Sequence, residues 1–220
     1  MINIAIDGPA GAGKSTIAKT VAAKKNYIYV DTGAMYRAMA LFILRKGISP
    51  EDAASISASC GEADISIEYR DGAQVVLLGG ENVNDQIRTP QVSDMASRTS
   101  VNQDVRRKLV ELQQKLARRQ NVVMDGRDIG TVVLPDAQVK IYLTANVDER
   151  AKRRYEELIQ KGEKADLDEI KAQIRERDER DMNREISPLR KADDAVLVDT
   201  SDMTIDEVAD RILSIVDEKI

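Results

Sequence analysis

The sequence predicts an α/β fold, a parallel sheet covered by helices on both faces, and three observations carry that prediction. Five short runs, "INIAI" (2–6), "YIYVD" (27–31), "VVMD" (122–125), "VKIYLT" (139–144) and "AVLVD" (195–199), are apolar and β-branched. Strands buried on both faces read this way. Stretches with helical periodicity stand among them, "KSTIAKTVAAKK", "GAMYRAMALFILRKG" (33–47) and the closing "MTIDEVADRILSIVDEKI". The first run also leads into a glycine-rich turn that opens a helix, the joint of a strand–helix unit.

Two regions break the alternation. Residues 64–84, "DISIEYRDGAQVVLLGGENVN", alternate apolar and polar residues around "RDGA". That pattern predicts a hairpin and hence a small antiparallel insert. Residues 147–187 are almost entirely charged helix. Asn146 with Glu149 three later reads as a capping box, Gly162 separates two helices and Pro188 is expected to end the second.

The bulk numbers exclude several classes. The 220 residues suit one domain or a domain with small inserts, and the 42% hydrophobic and 32% charged content is that of a soluble chain. No run approaches the roughly 18 apolar residues of a membrane span. The opening "MINIAIDGPAG" lacks a basic leader region and does not read as a signal peptide, and a single cysteine suits a reducing cytoplasm, the expected location. A net charge of −5 argues against a general nucleic-acid or membrane binder. The lone Cys60 forms no intramolecular disulfide and reads as a small buried or half-buried hydrophobe. The chain has no histidine, which removes imidazole acid–base catalysis and His-ligated metals. Chemistry here falls to carboxylates, Lys, Arg, hydroxyls, backbone dipoles or a weakly held hard cation.

One motif names its chemistry. Gly8-Pro9-Ala10-Gly11-Ala12-Gly13-Lys14-Ser15 fits G-x-x-x-x-G-K-S without a mismatch, between a strand and a helix, with Thr16 next in line. The glycines bring backbone N–H groups close to phosphate oxygens, and the helix start adds its positive dipole end. Lys14 is placed for the β/γ-phosphates and the Ser15 hydroxyl for a Mg²⁺ shell. Such a loop leaves the acceptor open, but no N-K-x-D guanine motif is present.

Arginines supply the rest. Arg37 lies about one turn inside a helix that begins near Gly33, beside Asp31 and Thr32 at the carboxyl end of the second strand, where ligands of open α/β sheets bind. In "RERDERDMNR", Ile170, Ile174, Arg177, Asp181 and Arg184 share one helix face. Arg177, Asp181 and Arg184 are therefore expected to point inward, and Arg175, Glu176 and Glu179 to water. Arg150, Arg153 and Arg154 open the preceding helix. An arginine-rich cover over a phosphate loop neutralises charge on a transferring group and excludes water. The stretch "VVMDGRDIGTVV" places Asp125, Arg127 and Asp128 at the end of a buried strand. Such charges are costly without partners. They are expected to be partly unpaired until a substrate binds. Asp125 either orients an arginine, lies near Mg²⁺ or is a structural turn acid.

The ordered set "IDGPAGAGKST", "VDTGAMYRAMA", "IRTPQVSDMAS", "DGRDIGTVVLPDA", "KIYLTA" and "ERDERDMNR" resembles the bacterial cytidylate kinases of the nucleoside monophosphate kinase group, nearly end to end. The resemblance implies a three-layer P-loop kinase with a parallel five-stranded core sheet, a small antiparallel β monophosphate-binding insert and a helical lid. Core, insert and lid would be 1–60, 100–148 and 183–220; 61–99; and 149–182. It implies phosphoryl transfer from ATP to CMP or dCMP with Mg²⁺. Arg37 and Arg127 would bind the acceptor phosphate, Ser97, Arg106 and Asp128 read cytosine, Asp181 and Arg184 reach the ribose, and Thr32 and Tyr36 complete the acceptor site. Lys14, Arg150, Arg153, Arg154 and Arg177 would be catalytic. Thr32 stands where some members carry Ser, and Lys152 interrupts the lid arginines; hydroxyl and charge are kept. The expected partners are small molecules only, and the expected state is a monomer. The competing readings are a P-loop kinase for uridylate, adenylate or a non-nucleotide acceptor, and a nucleotide-binding regulator that transfers nothing.

Overall fold

The protein is represented by a computed structural model that describes residues 1–70 and 72–220. The core sheet is parallel and five-stranded, in the order β2-β6-β1-β7-β8. A second, antiparallel sheet has the order β3-β4-β5. All five runs became core strands, β1 (Asn3–Asp7), β2 (Ile28–Asp31), β6 (Val122–Gly126), β7 (Val139–Thr144) and β8 (Val196–Asp199), but the two outer ones, β2 and β8, are not buried as expected because each lies at a sheet edge. The chain divides into two compact units, one of residues 28–121 with Met1, the other of residues 2–27 and 122–220.

In the second unit β1 runs parallel to β6 and to β7, and β7 parallel to β8. Their register sets Asp7 opposite Gly126 on one side and Tyr142 on the other. The carboxyl ends of the strands therefore open together, the usual ligand edge of such a sheet. Ile4, Ile6, Val123, Met124, Val139 and Leu143 are wholly buried. Helix α1 (Lys14–Lys25) packs Ile17, Ala18, Val21 and Ala22 inward and lies against β6 and α8 (Ile205–Lys219). The charged stretch forms α6 (Val147–Gln160) and α7 (Leu167–Asn183), packed on each other.

The first unit carries α2 (Thr32–Arg45), α3 (Ala53–Cys60), the hairpin β3 (Ile65–Arg70) and β4 (Ala73–Leu78) with the short β5 (Glu81–Asn82), then α4 (Pro90–Thr99) and α5 (Gln103–Ala117). Its core is Met35, Met39, Ile43, Ile56, Ile87 and Leu109. The expected hairpin is present, with Ile65 facing Leu78 and Arg70 facing Ala73. Asp71 of "RDGA" lies outside the described residues. Cys60 is buried, as expected for a small hydrophobe.

Two local expectations fail. At Asn146 only half of a capping box forms: its side chain accepts from Glu149 N–H, while its own N–H donates to Ser201 Oγ. The reciprocal box occurs at the start of α8, between Thr204 and Glu207. Nor does Pro188 end α7. The helix stops at Asn183 because Arg184 is extended (ψ 139°), and Ser187 then adopts positive φ.

Candidate active site

The phosphate loop connects β1 to α1. Gly8 is obligatory there: a Cβ at this position would lie 1.9 Å from the Leu143 carbonyl oxygen. Gly13, in the left-handed conformation, caps α1 without using a side chain, so the first N–H groups of the helix stay available. Lys14 is 6% exposed, and its Nζ donates to the Pro9 carbonyl at 2.7 Å. Burial drives its pKa well down; Arg127 and Arg177 push the same way, against Asp125 and Asp7. The pocket around Lys14 is thus crowded with positive charge and suits an anion.

The charges of "DGRDIG" are paired, contrary to expectation. Asp125 accepts from Ser15 Oγ at 2.9 Å. Arg127 Nε donates to Asp181 at 2.8 Å, and Arg184 lies 3.7 Å from Asp128. Burial pushes the Asp181 carboxyl up, but Arg127, Arg177 and Arg184 outweigh it and hold it below its ordinary value. The physical reason is that α7 and the residue after it bring Asp181 and Arg184 back to this strand end, a pairing that local sequence does not reveal. Ser15 and Asp125 offer two hard oxygen donors side by side, a set that fits Mg²⁺ shared with nucleotide phosphates.

Asp7 is the residue that sequence reasoning missed. Its carboxylate accepts from the N–H groups of Ile129 and Gly130, both at 2.7 Å. These open a π-helical turn, Ile129–Val133. Asp7 thereby does the capping that Asp128 would otherwise do, and Asp128 makes no cap bond of its own. The signal was present: Asp7 ends a buried strand in "AIDG" as Asp125 does in "VMDG". Burial outweighs the two hydrogen bonds and raises Asp7 from 3.8 to about 6. A raised carboxyl contributes stability at low pH that is lost as pH rises through the folded value. Thermal melting should therefore contain a component that falls between roughly pH 4 and pH 6. That component should vanish in Asp7→Asn.

The arginines of α6 and α7 do different things. Arg150 is buried and donates to the Ala145 carbonyl, the Ala10 carbonyl of the phosphate loop and Asp178 (2.6 Å). Arg153 grips Thr200 through its hydroxyl and carbonyl, and Arg154 pairs with Glu157 at the surface. Arg177 is exposed, yet its charge acts on Lys14 and Asp181, toward the cleft; Arg175, Glu176 and Glu179 are exposed as expected. The buried stripe of α7 instead takes in Asp178, four residues beyond Ile174, because α7 packs on α6 and meets Arg150. A cavity of about 850 Å³ opens beside the loop, lined by Gly11 to Ile17, Arg150, Arg153, Arg154, Thr200 and Met203 among others. Thr200 and Met203 had no sequence signal.

In the first unit Asp31 caps α2 by accepting from Ala34 N–H at 2.9 Å and holds Arg37 Nη2 at 3.1 Å. Arg37 lies against Gly33, where a Cβ would come within 3.0 Å of its Nη1. Its buried Nε–H has no partner among the described residues, so a donor remains for a ligand. Arg106, 4% exposed, stands 5.7 Å from the Tyr36 ring centroid and donates to the Ser100 carbonyl. Thr32 is buried and Ser97 half-buried.

The comparisons with known proteins agree with these parts. The model of the cytidylate kinase family matches residues 4–218. The chain belongs to the cytidylate kinase family. The cytidylate kinase of Caldicellulosiruptor bescii is 51% identical over 214 residues, 97% of this chain and 95% of its own. That of Bacillus licheniformis is 52% identical over 217 residues, 98% and 96% respectively. Among solved structures, an uncharacterised protein from Eubacterium ventriosum (TM-score 0.54, 16% identity, 99% of each chain) and a gluconokinase from Sinorhizobium meliloti (0.50, 14%, 99% and 92%) share the fold. As a cytidylate kinase family member, the chain has its phosphate loop, Arg37 and the "DGRDIG" charges inside the matched span.

Proposed function

We propose that this chain transfers the γ-phosphoryl group of ATP to CMP or dCMP, releasing ADP and CDP or dCDP. The observation that carries the reading is the phosphate loop itself, in which Lys14 is buried and its Nζ is bonded to the Pro9 carbonyl, with Arg127 and Arg177 acting on it. A polyphosphate supplies the missing negative charge. The nucleophile is a phosphate oxygen of CMP, already anionic because a monoester's second pKa is about 6. No strong base is needed, so the absence of histidine costs nothing. The new bond forms between that oxygen and the γ-phosphorus, the bond to the β,γ-bridging oxygen breaks, and ADP leaves with the charge.

Residues 8–16 cradle the ATP phosphates, and the neighbouring cavity takes the adenosine. Ser15 with Asp125 would hold Mg²⁺, which neutralises charge on the phosphoryl group when bound. Lys14 follows the transferring group, and Arg177 with the lid arginines Arg150, Arg153 and Arg154 completes the positive cover. Arg37 and Arg127 hold the acceptor phosphate, and Thr32 and Tyr36 line its site. Asp128 accepts from the cytosine N4 amino group, Arg106 donates toward N3 or O2, and Ser97 adds a hydroxyl. Asp181 and Arg184 reach the ribose. Residues 61–99 act as the acceptor insert and 149–182 as the lid. The enzyme is a cytoplasmic monomer of pyrimidine nucleotide metabolism on this reading. Among the described residues no helix is long and apolar enough to cross a membrane.

The test is an acceptor panel of CMP, dCMP, UMP, AMP and shikimate with ATP. CMP and dCMP should lead. UMP should trail, because uracil O4 facing Asp128 leaves two acceptors opposed, at about 1–3 kcal/mol. Asp128→Ala should lose CMP turnover while ATP binding persists. Unchanged CMP kcat/KM in that variant would reject Asp128 as the base reader.

A further inference from the structure

The antiparallel insert reaches the acceptor-phosphate arginine through one side chain. Gln74, at the start of β4, uses its amide on the backbone of Asp31: Asp31 N–H donates to its Oε1 at 2.9 Å, and its Nε2 donates to the Asp31 carbonyl at 3.2 Å. One planar amide carries a donor and an acceptor side by side, the pattern that a strand edge presents at a single residue. Tyr69 of β3 adds a bond from its hydroxyl to the Tyr29 carbonyl at 3.1 Å, two residues back on the same strand. Side chains of the hairpin thus cover an edge of β2 that backbone pairing would otherwise take.

Gln74 is itself held. Asn84 donates to the Gln74 carbonyl and accepts from Val76 N–H, both at 3.0 Å, which fixes the local backbone of β4. Asp31 in turn does two further things with its carboxylate, capping α2 and holding Arg37. The chain of contacts runs from Asn84 through Gln74 and Asp31 to the Arg37 guanidinium, all inside one compact unit.

We infer that Gln74 is a positioning residue for the acceptor phosphate: it fixes the Asp31 backbone, so that the Asp31 carboxylate aims Arg37 at the acceptor. The inference rests on the proposed kinase reading for its substrate, and on geometry alone for the aiming of Arg37. Asp31 sits at the joint between β2 and α2, where small rotations of one peptide swing the side chain. Two hydrogen bonds from one rigid amide lock that peptide. The printed bonds of Gln74 and Asn84 stay within their own compact unit, so donor binding is expected not to sense Gln74.

Gln74→Met keeps length and volume and removes both bonds. The expected result is a KM for CMP raised about tenfold, the scale of one hydrogen bond's worth of ordering, with KM for ATP unchanged and most of kcat kept at saturating CMP. Tyr69→Phe serves as the control, since it loosens the hairpin without touching Asp31; it should lower thermal stability and leave KM for CMP within about twofold. The second readout needs no turnover: the side-chain Nε–H resonance of Arg37 in arginine-labelled protein, assigned with Arg37→Lys, should move in Gln74→Met and hold in Tyr69→Phe. Equal effects of the two variants on both readouts would reduce Gln74 to hairpin glue and overturn the inference, as would a Gln74→Met protein with native KM for CMP and a native Arg37 resonance. If the unmodified chain fails to phosphorylate CMP, the kinase reading falls, and the resonance alone still decides whether Gln74 aims Arg37.

Discussion

Lys14→Met should lower kcat for CMP phosphorylation by about 100- to 1,000-fold, the effect of removing one fixed positive donor from a site of developing charge. The same substitution should leave the melting temperature equal to or above that of the native protein. The two expectations have one cause. Lys14 is buried and crowded by Arg127 and Arg177, and its pKa is driven well down. A lysine held below its ordinary value binds its proton less tightly folded than unfolded, so its charge disfavours the folded state at neutral pH. Methionine fills nearly the same volume without a charge. Its loss of the bond to the Pro9 carbonyl is the opposing effect, and it concerns a single neutral acceptor. A single melting curve beside a single-turnover assay therefore separates function from stability at this residue. A markedly lower melting temperature would mean that attraction to Asp125 and Asp7 dominates burial, and the account of an anion-seeking pocket would fail.

Lys14 was legible in the sequence, and so was most of the core. The five core strands were readable because each is a compact β-branched run, and the phosphate loop because its spacing is rigid. The family followed from motifs whose order spans the chain. What stayed hidden is long-range pairing of charge. Asp7 acts on Ile129 and Gly130, across 122 and 123 positions. Asp181 meets Arg127 across 54. Periodicity reports which face a residue is on, and says nothing of which partner waits there. The same limit explains Arg177 and Asp178. Helical spacing placed Arg177 with Asp181 on one face, where its charge does act; what it did not show is that packing against α6 also buries Asp178. Gln74 was invisible for a different reason. It is a polar residue at the start of a strand, a common and neutral sight, and its role exists only because β4 lies beside β2. Local chemistry also misled at Asn146, where the cap formed but the second half of the box went to Ser201.

Asp178→Ala should destabilise the protein by about 3–5 kcal/mol, the scale seen when one member of a buried ion pair is removed. Arg150 and Asp178 have side chains only 4% and 12% exposed. Without Asp178 the guanidinium keeps its bonds to the Ala145 and Ala10 carbonyls, but its charge stays buried with no counterion there. Removing both charges is a different matter. Arg150→Met with Asp178→Leu takes away the desolvation penalty along with the attraction, and such replacements are often neutral or stabilising. The double variant should therefore recover most of the lost melting temperature. It should not recover catalysis. Arg150 Nη1 is the contact that ties α6 to the phosphate loop at Ala10, and Arg150 lines the cavity beside that loop. KM for ATP should remain raised in the double variant, with KM for CMP less affected. If the double variant regains both stability and native ATP kinetics, the pair is a structural staple and Arg150 has no part in the chemistry. If it regains stability alone, the buried pair is there because the reaction needs a cation held rigidly at the loop, and Asp178 is what makes that cation tolerable to the fold.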